Sequence, residues 1–304
     1  MPKLKDLFIA KLFAENFRQK VSGAKDGRPD WVAQISEGDD EGLFGEDSAV
    51  WQVHSSVATL IGGIRALLMQ ATHPAPLAGV TNHSRYQADP MGRLAGTTRW
   101  VTITTFASTQ IVNREAARVN QMHSKVSGEY KNKKNEIEQY SAQNMRFLLW
   151  VHCAFTDSFL TAHTALGYPI TKGRDAYVSE WAKSAIPLGL SNPPRTFSEL
   201  RDTLDDFRVN DLATTADTKG IVDFILNPQF KFTEKIFYKI LLNAAIVTLG
   251  DNELKILGLK KRSTIWLKIS KASLEFLLLV LGSESPALTE AKARITRLKK
   301  RNLI

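Results

Sequence analysis

The residues best able to do chemistry in this chain are six histidines, His54, His73, His83, His123, His152 and His163, five of which fall between positions 73 and 163. Imidazole titrates near neutrality and binds metals through a neutral ring nitrogen, so this concentration points to proton handling or metal ligation. Spacing restricts which of them can cooperate. His152 and His163 are eleven residues apart, so on one helix they share a face about 16 Å apart, too far to hold one ion. Each also has a plainer reading as a hydrogen-bonded core residue. Other constellations are absent from the sequence: no His-Glu-x-x-His, no Gly-x-Ser-x-Gly, no phosphate-binding glycine loop and no Glu-x-x-His. Zinc proteases, serine hydrolases of that type, nucleotide enzymes and ferritin-like di-iron bundles are thereby disfavoured. Cys153 is the only cysteine, which excludes a disulfide scaffold and a cysteine-based zinc site.

His123 is the best placed. Asn113 can cap a helix over residues 114–127, with Gly128 as its stop. On it Ala116, Val119, His123 and Val126 recur every three or four residues and form an inward stripe. An imidazole aimed into an apolar layer, with Met122 beside it, suits an axial haem ligand; the plainer reading is a buried histidine bonded to a carbonyl. Arg93 and Thr97 stand at i and i+4 on a helix that Asp89-Pro90 starts. The guanidinium can pair with a haem propionate or bound superoxide, and the hydroxyl can donate to bound oxygen. Alternatively they are a surface arginine and a mid-helix threonine. A straight helix from Arg93 to His123 would run about 45 Å, so a break near residues 108–113 is needed to fold His123 back.

The positioning elements read as helices almost throughout. Residues 48–72 are apolar on nearly every side and predict one buried central helix, with Gly62-Gly63 admitting a close neighbour and Pro74 and Pro76 ending it. Thr196-Phe197-Ser198-Glu199 has capping-box spacing and starts another helix. Residues 274–281 and 287–303 predict closing helices. Residues 100–106 are rich in β-branched residues but have helical flanks and no hairpin dipeptide, so they too are assigned to helix. The fold class is all-α, one domain over residues 1–304, with the stretch at 186–195 a loop.

Composition sets the outer bounds. The chain has 304 residues, 43% hydrophobic and 23% charged, which is the profile of a folded globular protein. Its net charge of +9 lies wholly in residues 231–304, which hold 15 Lys+Arg against 6 Asp+Glu. Such an end can keep a surface helix solvated or touch an anionic membrane. The final basic run has no interleaved aromatics, so no nucleic-acid partner is expected. No apolar tract reaches the roughly 20 residues of a spanning helix, and the first residues lack a signal-peptide pattern; a cytoplasmic or peripheral membrane location is expected.

Several strings together resemble one family, that of the rubber oxygenase (latex clearing protein) and fungal ER-bound oxygenase catalytic domain. They are Leu67-Leu68-Met69-Gln70-Ala71-Thr72-His73-Pro74, Asn82-His83-Ser84, Asp89-Pro90-Met91-Gly92-Arg93-Leu94 with Thr97, the run from Val119 through His123 to Gly128, Trp150 through Ser158, and Pro194 through Leu200. The resemblance covers about residues 45–250, leaving residues 251–304 as a basic helical end. It implies a globin-like helical domain binding haem b, with His123 on the family's proximal histidine and Arg93 and Thr97 on its Arg/Thr pair. It also implies dioxygen and a hydrophobic small-molecule or polymer substrate, since characterised relatives cleave isoprenoid double bonds to carbonyl products. Rubber-cleaving members carry a lysine before the threonine, where this chain has Gly96. The other readings are a haem protein that senses or stores without turnover, and a non-enzymatic helical protein that binds membrane or a partner through its basic end.

Overall fold

A stretch of apolar side chains continuous from Val32 to Leu298 ties the elements of this protein together. The computed structural model describes residues 19, 24, 27–83, 90–228, 230, 232–282 and 284–304. After a 3₁₀ turn at Asp30–Ser36, helix α1 spans Ala49–His54, with Ser48 Oγ accepting the Trp51 N–H, and α2 spans Thr59–Gln70. The single helix expected over residues 48–72 is therefore two. Ser56 explains the break: its Oγ accepts the Ala58 N–H at 3.2 Å, a local bond that competes with the helical one. Gly62 does admit a close neighbour, because a Cβ there would lie 2.6 Å from the Phe159 ring, whereas nothing lies within 4 Å of one at Gly63.

Helix α3 is Pro74–His83, α4 is Pro90–Phe106 and α5 is Thr109–His123. The β-branched residues 100–106 are helical, as expected. The chain next forms a feature not expected, an antiparallel hairpin of β1, Ser127–Lys131, and β2, Ile137–Ser141, with Gly128 opposite Tyr140. Gly128 does not stop α5; it lies in the strand, where a Cβ would crowd the Tyr140 ring at 3.1 Å. The turn uses Asn135 at φ 66°, a conformation Asn tolerates better than most residues.

Helix α6, Met145–Ala165, is the central rod; it buries Trp150, His152, Cys153, Asp157 and His163 and packs most extensively on α2. Around it lie α7, Gly173–Trp181, a 3₁₀ turn at Ala182–Leu188, and α8, Phe197–Asn210. The start of α8 has Thr196 Oγ1 accepting the Glu199 N–H at 3.1 Å, while Glu199 reaches back to the Arg195 N–H rather than that of Thr196. Helices α9, Ala216–Leu226, α10, Phe232–Val247, α11, Asp251–Leu257, α12, Ile265–Leu281, and α13, Pro286–Lys300, complete the molecule. Among the described residues no helix is long and apolar enough to cross a membrane.

The basic end behaves differently from a free cationic face. Arg294 is wholly buried, and burial lowers its pKa to about 10. It donates to the carbonyls of Ile35, Glu41 and Phe106, and Arg297 donates to those of Ser36 and Gly38. Lys292 pairs with Glu284, Lys299 with Glu46, and Arg301 lies 3.9 Å from Asp39. Much of the final charge run thus stitches α13 onto the loop at residues 35–46.

Candidate functional site

Helices α4 and α5 carry the three residues expected to hold and work on a cofactor, and the elbow between them sets the course of α5 relative to α4. Ser108 takes an extended backbone, φ −64° and ψ 157°, at the start of α5. Asp40 caps that start from across the fold, its Oδ1 accepting the N–H of Thr109 at 2.9 Å and of Gly42 at 2.7 Å; a carboxylate is favoured at a helix N-terminus. On the other side the Arg294 guanidinium takes the Phe106 carbonyl, 2.8 Å away, at the end of α4. Gly38 and Gly42, at φ 93° and 83°, press onto the elbow so closely that a Cβ would fall 2.2 Å from Ser108 Oγ or 2.0 Å from the Ala107 carbonyl. Only glycine meets both demands.

Beyond the elbow α5 turns back along α4. Buried Glu115 of α5 accepts from Arg99 of α4 at 2.9 Å and from Arg118 one turn on. A break was expected at residues 108–113; it falls at Ala107-Ser108, and Asn113 lies inside α5, exposed, instead of capping it. The stronger cap is the Asp40 carboxylate, which comes from a distant loop.

His123 is the last residue of α5 and is half-buried. Its Nδ1 is buried and has no hydrogen-bond partner among the described residues, and burial lowers its pKa. The ring is therefore neutral at pH 7, with a lone pair to offer. One turn earlier Asn120 donates to the Pro187 carbonyl at 3.1 Å, which fixes the final turn of the helix against the 3₁₀ segment. Met122 is 49% exposed, so it forms no buried apolar layer beside the ring. Thr97 lies in the middle of α4, half-buried. The Arg93 backbone belongs to α4, but its side chain, like that of His83, lies outside the described residues, as do Tyr86 and Asp89 entirely.

The remaining histidines divide by partner. His54 is satisfied at both nitrogens, by Thr105 Oγ1 at 2.7 Å and Tyr177 OH at 2.9 Å, and burial pushes its pKa down to about 3. His163 Nε2 bonds the Pro169 carbonyl at 2.9 Å. His73 Nδ1 accepts the Ala75 N–H at 3.2 Å and ties down the turn before α3. Among the described residues its Nε2 has no bonding partner; Asp211 is 3.9 Å away, and Phe147, Trp150 and Phe207 wall the ring. His152 is buried with Nε2 unpartnered, and burial lowers both of these histidines to about 4.

Among the described residues no three His, Cys, Asp or Glu side chains converge to hold an ion. A protein-only iron site needs such a set, whereas a haem brings four nitrogens and asks for one or two axial ligands. His123, neutral and at a helix end, fits the second requirement, although His73, His152 and His163 share its feature of one buried nitrogen without a partner among the described residues. The cleft lined by Glu41, Glu46, Lys172, Glu180, Lys183 and Lys299 is polar, and neither Thr97 nor His123 lines it. Glu115 and Arg294 were not singled out from sequence; the Glu115/Arg118 spacing was the only local signal for the first, and the second has none.

Residues 51–275, about three quarters of the chain, match the family described as ER-bound oxygenase mpaB/B'/Rubber oxygenase, catalytic domain. No curated protein and no solved structure matches the chain.

Proposed function

Since the chain belongs to the ER-bound oxygenase mpaB/B'/Rubber oxygenase catalytic-domain family, we propose that it is a haem b-dependent oxygenase acting with dioxygen on a hydrophobic, isoprenoid or lipid-like substrate. The observation that carries the haem assignment is His123, whose buried Nδ1 has no partner among the described residues. A ligand bond would offset the cost of that orphaned nitrogen. The C-terminal end of the α5 dipole places partial negative charge beside the ring, which favours a metal cation there.

When bound, haem supplies the activation of dioxygen. The chain's own part is to hold and orient. His123, kept neutral by burial, would hold the iron. The Thr97 hydroxyl would offer a hydrogen-bond donor beside the bound group, and the Arg93 guanidinium would pair with a propionate. Gly96 replaces the lysine of rubber-cleaving members, and a Cβ there would meet nothing within 4 Å; no side chain from that position covers the metal. For an alkene, the reaction with one dioxygen to two carbonyl compounds balances without external electrons.

The test is to produce the protein with a haem precursor, measure iron and the absorption spectrum, and follow oxygen uptake with isoprenoid alkenes. A Soret band and substrate-dependent uptake are expected. A haem-loaded protein that consumes no oxygen with any alkene would instead favour sensing or storage.

A further inference from the structure

Helix α12 has two apolar stripes, and among the described residues only one of them has a partner. Ser270, Leu274 and Leu277 face inward and are buried, and Ser270 Oγ donates to the Ile240 carbonyl of α10 at 3.1 Å. On the opposite side Ile265, Ile269, Phe276 and Leu279 are exposed by 48%, 37%, 57% and 85%, with exposed Ala272 between them. The steps along this outer row are four, three, four and three residues, the repeat of a coiled-coil seam. It runs about 21 Å along the helix. A surface helix of a monomer normally shows polar residues on that face, and a contiguous apolar row marks a contact surface.

The charges beside the row identify what covers it. Lys268 and Glu275 are exposed and flank the same side of the seam, seven residues apart. Two such helices laid antiparallel about a two-fold axis, level with the middle of the seam, set Ile265 against Phe276 and Ile269 against Ala272. The same axis sets Lys268 beside Glu275, and each of these contacts then occurs twice. A parallel pair would set Lys268 near Ser273 and Glu275 near Val280, leaving both charges without partners. The surface is complementary to itself, the property a two-fold interface requires.

We propose that α12 pairs antiparallel with α12 of a second copy of this chain, forming a homodimer through Ile265, Ile269, Ala272, Phe276 and Leu279. Five core residues make a small interface, so a dissociation constant on the order of 10 µM is expected.

Sedimentation and light scattering of the full chain, up to about 0.3 mM, should show mass rising from 33.9 kDa toward twice that value. Lys268→Glu and Glu275→Lys each create like-charge contacts and should weaken the dimer by roughly tenfold. The double variant Lys268→Glu/Glu275→Lys should restore it, and Phe276→Glu should abolish it. All these positions are exposed, so unchanged circular dichroism and melting temperature will show that each variant is folded. A mass fixed at that of one chain overturns the proposal, as does a dimer indifferent to Phe276→Glu. Flotation of a monomeric protein with anionic lipid vesicles would do so as well, since a lipid surface would then be the occupant.

Discussion

At the residue scale, burial without partners is what separates the histidines. Among the described residues His54 has both nitrogens bonded, while His73, His123, His152 and His163 each leave one buried nitrogen unsatisfied. Such groups are costly unless a ligand or a function repays them. Sequence spacing pointed to His123 through its helical stripe, but not to its neighbours: Met122 turned out exposed, and the Asp211 carboxylate near His73 comes from beyond α8, which no local pattern announces. A pH prediction follows. Burial lowers His54 to about 3 and His73 and His152 to about 4, from 6.5. The unfolded chain therefore binds more protons than the folded one between those values and 6.5. Stability is full above pH 6.5 and falls as pH drops toward 4, by about 1.4 kcal/mol per unit for each histidine. Denaturant melts from pH 7 to 4 should show this loss. Replacing His152 by Gln should flatten the slope by close to one proton.

At the element scale, the α4–α5 elbow governs the site. The sequence contained the need for a break, because a straight helix would carry His123 away from Arg93. Its location was hidden, because Asp40, Gly38, Gly42 and Arg294 come from segments far away in the chain and converge only on folding. The split of residues 48–72 was missed for a related reason: their hydrophobicity continues through Ser55-Ser56, and only the Ser56 side-chain bond marks the turn. Arg294→Met removes three carbonyl bonds from a buried position and should cost roughly 3–5 kcal/mol. Hydrogen exchange should then quicken at Ala107 through Thr109 before it does in α6; equal quickening everywhere would mean that the arginine stabilises the fold without preference for the elbow. Gly42→Ala, at φ 83° and against the Ala107 carbonyl, should lose about 2 kcal/mol or more by melting.

At the scale of the whole molecule, α13 is part of the core. Leu288, Ala291, Arg294, Ile295 and Leu298 are buried, and Arg294, Arg297 and Lys299 are engaged by the loop at residues 35–46. Composition located the excess charge correctly, yet it could not distinguish cations facing solvent from cations bonded to carbonyls. Removing residues 287–304 should therefore lower the melting temperature by more than 10 °C, on the order expected for loss of a packed helix in a chain of this size; an unchanged melt would make α13 an accessory. The helical architecture was legible from periodicity and capping, whereas the hairpin was not, because no strong turn dipeptide signals it. The family match spans α1 through most of α12, so the elbow and His123 lie within it. The most direct measurement is the absorption spectrum of haem-supplied wild type beside His123→Ala, with circular dichroism on both. The account predicts a Soret band with about one iron per wild-type chain, and its loss in the variant without loss of helix. Full haem retention by His123→Ala, or an iron-free wild type, would contradict it.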